Sequence, residues 1–138
     1  MIEFTVEGLP IALKRHRNTR NGGKMWVYDP SKFDKANFLK KSLKTAPKSP
    51  ALGPISMTVE FYFGRPKKHY RSGQHSHLLK NNCPDWHIIK ADIDNLLKLV
   101  MDSLTGVYYK DDCQICYVKM LKKYSTNPRT VVQLKGVE

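Results

Sequence analysis

Apolar and polar residues alternate at the start of the chain, with Ile2, Phe4 and Val6 separated by Glu3, Thr5 and Glu7. That is the period of a strand with one buried face. A basic stretch follows, residues 9–24, and ends in the turn Gly22-Gly23 before a short second strand over 25–28. Asp29-Pro30-Ser31 reads as a helix start, and Phe33, Ala36, Phe38 and Leu39 carry the helix to about Thr45. The Pro-rich run A-P-K-S-P-A-L-G-P breaks it. Residues 55–63 are the strongest strand signal, with Ile55, Met57, Val59, Phe61 and Phe63 on one face. Residues 65–87 show no regular period and read as a long polar loop, a type that tends to be functional in compact domains. Ile93, Leu96, Leu97, Val100 and Leu104 then fall at helical spacing. Asp92 or Asp94 suits the N-cap region, and Gly106 suits the position just past the end. Strands at about 113–123 and 130–135, separated by S-T-N-P, complete the chain, and there are no internal repeats.

Composition narrows the class. A chain of 138 residues is expected to be one domain, 1–138, and 41% hydrophobic with 10% aromatic residues is the make-up of a folded protein. No apolar run approaches the ~18–20 residues that span a bilayer, so no membrane partner is expected. The first strand, with its two Glu, lacks the basic and apolar regions of a secretion signal, so the expected location is the cytoplasm. Twenty-four Lys and Arg against twelve Asp and Glu give a net charge of +12 and a sequence pI near 9.7. No basic amphipathic helix of the membrane-surface kind is evident, and phosphate neutralisation makes nucleic acid the natural partner.

Charge is unevenly distributed. Five of the twelve acidic residues, Asp92, Asp94, Asp102, Asp111 and Asp112, lie between positions 92 and 112. On a helix Asp94, Lys98 and Asp102 share one face, away from the apolar stripe. Asp111 and Asp112 follow a turn, and adjacent extended residues point opposite ways, so one of the two should face inward. Carboxylates brought together repel unless a cation or a proton offsets them, and oxygen-only ligands suit Mg²⁺ or Mn²⁺. Such a site activates water and polarises a phosphodiester, and Lys98 is placed to neutralise charge developing on phosphorus. A plainer reading makes Asp92 and Asp94 helix caps, Asp94–Lys98 a surface pair and Asp111-Asp112 a turn. Cys83, Cys113 and Cys116 are an odd count, which argues for free thiols; C-Q-I-C with Cys83 and His87 invites a zinc reading, but strand geometry sends residues three apart to opposite faces.

The run D-I-D-N-L-L-K-L-V-M-D-S-L-T-G followed by Y-K-D-D-C-Q-I resembles the signature of the RusA family of Holliday junction resolvases of bacteria and their phages. The family pattern is D-x-D-N-x-x-K, then D-A-L, a short Gly-containing turn and D-D-x-Q; here D-S-L replaces D-A-L. The resemblance is close over residues 90–115 and looser in two basic loops. It implies an α+β fold, a two-layer α/β sandwich with a small mixed β-sheet and two main helices. It also implies a homodimer, because two symmetric nicks suit two sites related by a two-fold axis. The implied activity is Mg²⁺- or Mn²⁺-dependent cleavage of four-way DNA junctions, with water attacking in line to leave 5′-phosphate and 3′-hydroxyl ends. By motif position Asp92, Asp94 and Asp112 would bind metal and Lys98 would be the essential lysine. Asp102 would support the site, and Asp111 is the alternative to Asp112. Lys14, Arg15 and Arg17 in one basic loop, and Arg65, Lys67, Lys68 and Arg71 in the other, would contact DNA phosphates. The alternatives are a related metal nuclease acting on flaps or forks, and a basic DNA-binding protein without catalysis.

Overall fold

A computed structural model describes residues 1–14, 17–21 and 23–138, with the side chains of 17–21 and 24–27 outside that description. Its elements are β1 (Ile2–Glu7), β2 (Arg17–Asn21), β3 (Lys24–Tyr28), α1 (Lys32–Ser42), β4 (Ile55–Gly64), α2 (Ile93–Leu104), β5 (Ile115–Ser125) and β6 (Arg129–Gly136). β1, β6, β4 and β5 form one sheet in that order, with β4 and β5 parallel and the other pairs antiparallel. β2 and β3 form a separate hairpin. The fold is α+β, two helices against a mixed four-stranded sheet, as the sequence leads one to expect.

Alternation decides which sheet face is buried. In β4, Ile55, Met57, Val59 and Phe61 point into the core, while Ser56, Thr58, Glu60 and Tyr62 point away. Register aligns them with Leu134 and Val132 of β6, and Val132 in turn with Phe4 of β1. Phe63, on the same side, is half-buried at the edge of the core and stacks on the ring of His87.

α2 covers the sheet with Leu96, Leu99, Val100 and Leu104, all buried, each contributing about 1.5–3 kcal/mol relative to exposure. Ile93 and Leu97, expected in the stripe, are half-buried, and Leu99 takes the central place. The helix packs against α1 as well as the sheet, so its buried arc is wider than one row of positions. α1 contributes Phe38, while Phe33 stays exposed. The Tyr108 hydroxyl donates to the Ser42 carbonyl at 2.6 Å, tying the end of α1 to the turn after α2. Gly106 follows α2 with φ of 88°, a left-handed conformation that suits glycine.

Two segments depart from expectation. Arg17–Asn21 is a strand although R-N-T-R-N has no apolar alternation; it pairs antiparallel with β3. Residues 65–87, read as an irregular loop, contain 3-10 turns at Lys67–His69 and Gly73–His75 and a bridge between Tyr70 and Leu79. The end of this loop docks beside β5: the His87 amide donates to Lys122 O at 3.1 Å and the Tyr124 amide to Asp85 O at 2.8 Å. A bridge between Trp86 and Lys123 covers part of what would otherwise be an open sheet edge.

Candidate active site

α2 begins with two carboxylates. Asp92 is its N-cap and Asp94 stands in the first turn. Asp92 accepts no hydrogen bond from the helix amides, so it does not act as a side-chain cap. Both side chains are exposed, and neither has a hydrogen-bond or ion-pair partner among the described residues. Their backbone is well held all the same. Lys122 Nζ donates to Ile89 O at 2.8 Å and to Ala91 O, clamping the segment that leads into Asp92. The Leu13 amide donates to Asn95 O at 2.9 Å, tying the first basic loop beside the first turn of α2, and the Lys14 amide donates to Ser31 Oγ at 2.7 Å at the start of α1.

Lys98 and Asp102 follow Asp94 at successive spacings of four on the exposed side of α2. No ion pair joins Lys98 to Asp94 or Asp102 among the described residues, so the surface-pair reading finds no support.

Asp111 and Asp112 have different surroundings. Asp111 caps the 3-10 turn Asp112–Gln114: its carboxylate accepts from the Cys113 amide at 3.0 Å, and Gln114 Oε1 accepts from the Asp111 amide at 2.8 Å. The Cys113 amide holds the Asp111 carboxyl below its ordinary range. Gln114 Nε2 also donates to Ala51 O at 2.9 Å and Gly53 O at 3.0 Å, locking the turn to the loop before β4. Asp112 is half-buried, and burial, the hydrogen bond with Asp111 and the charges of Asp111 and Asp102 push its carboxyl up. Beside it the Tyr109 hydroxyl, donating to Met101 O at 2.6 Å, is pushed well up by burial and then by Asp112 and Asp102. Asp102, Asp111 and Asp112 thus act on one another at this turn, and their oxygen donors are of the kind that suits a hard divalent cation.

The three carboxylates expected to share a metal are not drawn into one tight cluster. Among the described residues no three His, Cys, Asp or Glu side chains converge closely enough to hold a metal ion. Asp92 and Asp94 lie along a groove of about 970 Å³ with Lys90, Lys119 and Lys122, while the carboxylates acting on Asp112 are Asp111 and Asp102. Like charges gain nothing by approaching without a counter-ion. The zinc reading fares no better: Cys113 sits in the 3-10 turn, Cys116 on β5, Cys83 against Arg65 Nη1 at 3.4 Å, and His87 is stacked on Phe63.

The phosphate-contact candidates divide. Lys67, Lys68 and Lys14 are exposed, with Lys14 Nζ 3.9 Å from Asp34. Arg71 is exposed but bonds Leu79 O and Asn81 Oδ1. Arg65 departs from its expected role. Its side chain is 7% exposed and its guanidinium binds Pro84 O at 2.7 Å and Asp85 Oδ1 at 3.2 Å, so it clamps the loop. Arg15 and the side chain of Arg17 lie outside the described residues. Sequence reasoning missed Lys119 and Lys122, whose signal was a lysine-rich strand (K-M-L-K-K) destined to flank the groove.

Free carboxylates in a lysine-rimmed groove, on a chain with this excess of positive charge, mark a protein that handles polyanions. The chain belongs to the family of endodeoxyribonuclease RusA, whose sequence model matches residues 7–135. It is 34% identical over 143 residues to an uncharacterized protein, YqaN, of Bacillus subtilis (strain 168), covering 99% of this chain and 96% of that one. It is 23% identical over 138 residues to crossover junction endodeoxyribonuclease rusA of Lactococcus phage r1t, covering 98% and 96%. Endodeoxyribonuclease activity is what this membership implies.

Proposed function

We propose that the protein is a structure-selective endodeoxyribonuclease that resolves four-way DNA junctions by paired nicks, working as a homodimer with Mg²⁺ or Mn²⁺. The observation that carries this reading is the pair Asp92 and Asp94: two exposed carboxylates on a well-held backbone, neither spent on capping the helix they begin. Asp92, Asp94 and Asp112 would hold the cation, which supplies Lewis acidity toward the scissile phosphate and lowers the pKa of attacking water. Lys98, one turn from Asp94 and unpaired among the described residues, faces the phosphate and offsets charge growing on its oxygens. Asp111 and Gln114 fix the turn that presents Asp112, and Asp102 keeps the Asp112 region negative.

The dimer rests on the symmetry of the substrate, since two nicks related by a two-fold axis require two such sites.

The test is cleavage of an end-labelled four-way junction and a matched linear duplex by wild type and Asp94→Asn, with Mg²⁺, Mn²⁺ or EDTA. Paired nicks in the junction alone, abolished by EDTA and reduced at least about 10²-fold by the substitution, are expected. Tight, salt-sensitive binding with no nick under any cation would leave a DNA-binding module.

A further inference from the structure

Three apolar side chains at the end of the long loop face solvent: Trp86 is 56% exposed, Ile88 87% and Ile89 62%. The segment that carries them is anchored to β5 and β4. His87, between them in sequence, is buried and stacked on Phe63 with ring centroids 3.8 Å apart. Its amide donates to Lys122 O, and Lys122 Nζ returns a bond to Ile89 O. Lys123 Nζ lies 4.4 Å from the Trp86 ring centre. The apolar groups are thus held outward on a rigid base, where a relaxed loop would fold them against the sheet.

Trp86, Ile88 and Ile89 also line two separate hollows. One, of about 970 Å³, runs with Lys90, Lys119 and Lys122 to Asp92 and Asp94. The other, of about 490 Å³, carries Lys68 and Lys80. The three residues are therefore a ridge between two lysine-bearing channels, one of which ends at the candidate catalytic carboxylates. Channels of this charge suit phosphate backbones, and a rigid apolar ridge between them suits the faces of stacked bases.

We propose that the Trp86-Ile88-Ile89 ridge is a wedge that parts stacked bases at a DNA branch point and directs one strand along the groove toward Asp92 and Asp94. This specificity device rests on the junction-cutting reading above. Apolar side chains unstack base steps by replacing base–base contact with side chain–base contact, and a branch point, where stacking is already interrupted, is the easiest place to do so. The ridge would thus select branched over linear DNA without reading sequence.

The experiment separates the wedge from the nuclease. A four-way junction with 2-aminopurine at the branch point is bound by Asp94→Asn protein in EDTA, with the native ridge, with Trp86→Ala, or with Ile88→Ala and Ile89→Ala together. The native ridge should raise the fluorescence, and the ridge variants should bind within about threefold yet lose most of the rise. With Asp94 restored and Mg²⁺ added, the ridge variants should cut the closed junction about tenfold more slowly and recover on a junction with unpaired bases at its centre. Circular dichroism checks that the variants fold, as exposed positions should allow. An equal rise with native and truncated ridges, or no rise at all, overturns the wedge. So does a fall from dimer to monomer on truncating the ridge, which would make it a contact between copies. Ridge-dependent unstacking with no nick under any cation would uphold the wedge and remove the nuclease reading. Nicks without ridge-dependent unstacking would do the reverse.

Discussion

At the scale of single residues, the adjacent pair Asp111-Asp112 shows how neighbours of the same type come to different ends. Asp111 spends its carboxylate on the amide of Cys113 and belongs to the turn. Asp112 has its carboxyl pushed up by burial and by Asp111 and Asp102. Substituting Asp111 with Ala should therefore lower the melting temperature through loss of a cap. Asp112→Asn should leave the melting temperature unchanged or raise it, because it removes repulsion, while abolishing cleavage. Thermal melts alongside junction cleavage read both effects. A stability loss equal to that of Asp111→Ala would place Asp112 in the fold and out of the site. Neither role is legible in the letters D-D, which say only that one of the pair turns inward. The capping box that decides between them depends on Gln114, whose amide reaches the backbone of residues 51 and 53.

At the scale of elements, the long loop is held by groups that its polar composition conceals. His69 and His87 are buried, and the Nδ1 of each has no hydrogen-bond partner among the described residues. Both rings pack near Tyr124, at 4.6 and 5.0 Å between centroids. Burial first, then nearby cations (Arg65, Lys68 and Lys80 for His69, Lys122 for His87), lowers both below the ordinary value of 6.5. A released loop takes up protons near that value and the docked loop resists them, so docking is fully stable above it. Stability should be lost progressively as pH falls through 6.5 toward the lowered values. Limited proteolysis within 65–87 should accelerate between pH about 7.5 and about 5.5, and less so in His87→Phe, which keeps the stack on Phe63 and cannot charge. An unchanged pH dependence in that variant would mean His87 takes no part. β4 and α2, by contrast, were readable in advance because their period matches a buried face. β2 was not, because R-N-T-R-N has no apolar alternation.

At the scale of the whole molecule, the net charge is +12, and only part of it is free to bind phosphate. Lys67 and Lys68 are exposed, whereas Arg65 is buried in the clamp on Pro84 and Asp85. Replacing Lys67 and Lys68 with Ala should reduce the salt dependence of junction binding by up to about two phosphate contacts, with the melting temperature unchanged. Arg65→Ala should leave that slope as it is and lower the melting temperature, since it removes the clamp on Pro84 O and Asp85 Oδ1. Binding titrations over a series of salt concentrations, paired with melts, distinguish the two. A slope change for Arg65→Ala alone would return it to the DNA-binding set.

The sequence by itself determined the period of each buried face, the helix that begins at the acidic motif, the excess of positive charge and the family that the motif marks. These follow from composition and from residues near one another in the chain. Only the tertiary structure decided that Arg65 faces inward and Trp86 outward, that two loop histidines are buried, and that Lys122 supports the entry to Asp92. Each of these depends on a partner 20 or more positions away in sequence or on the docking of the loop beside β5. Local pattern records which face of an element prefers water. Which neighbours meet a polar group, and so whether its charge is spent or free, is set where distant segments come into contact.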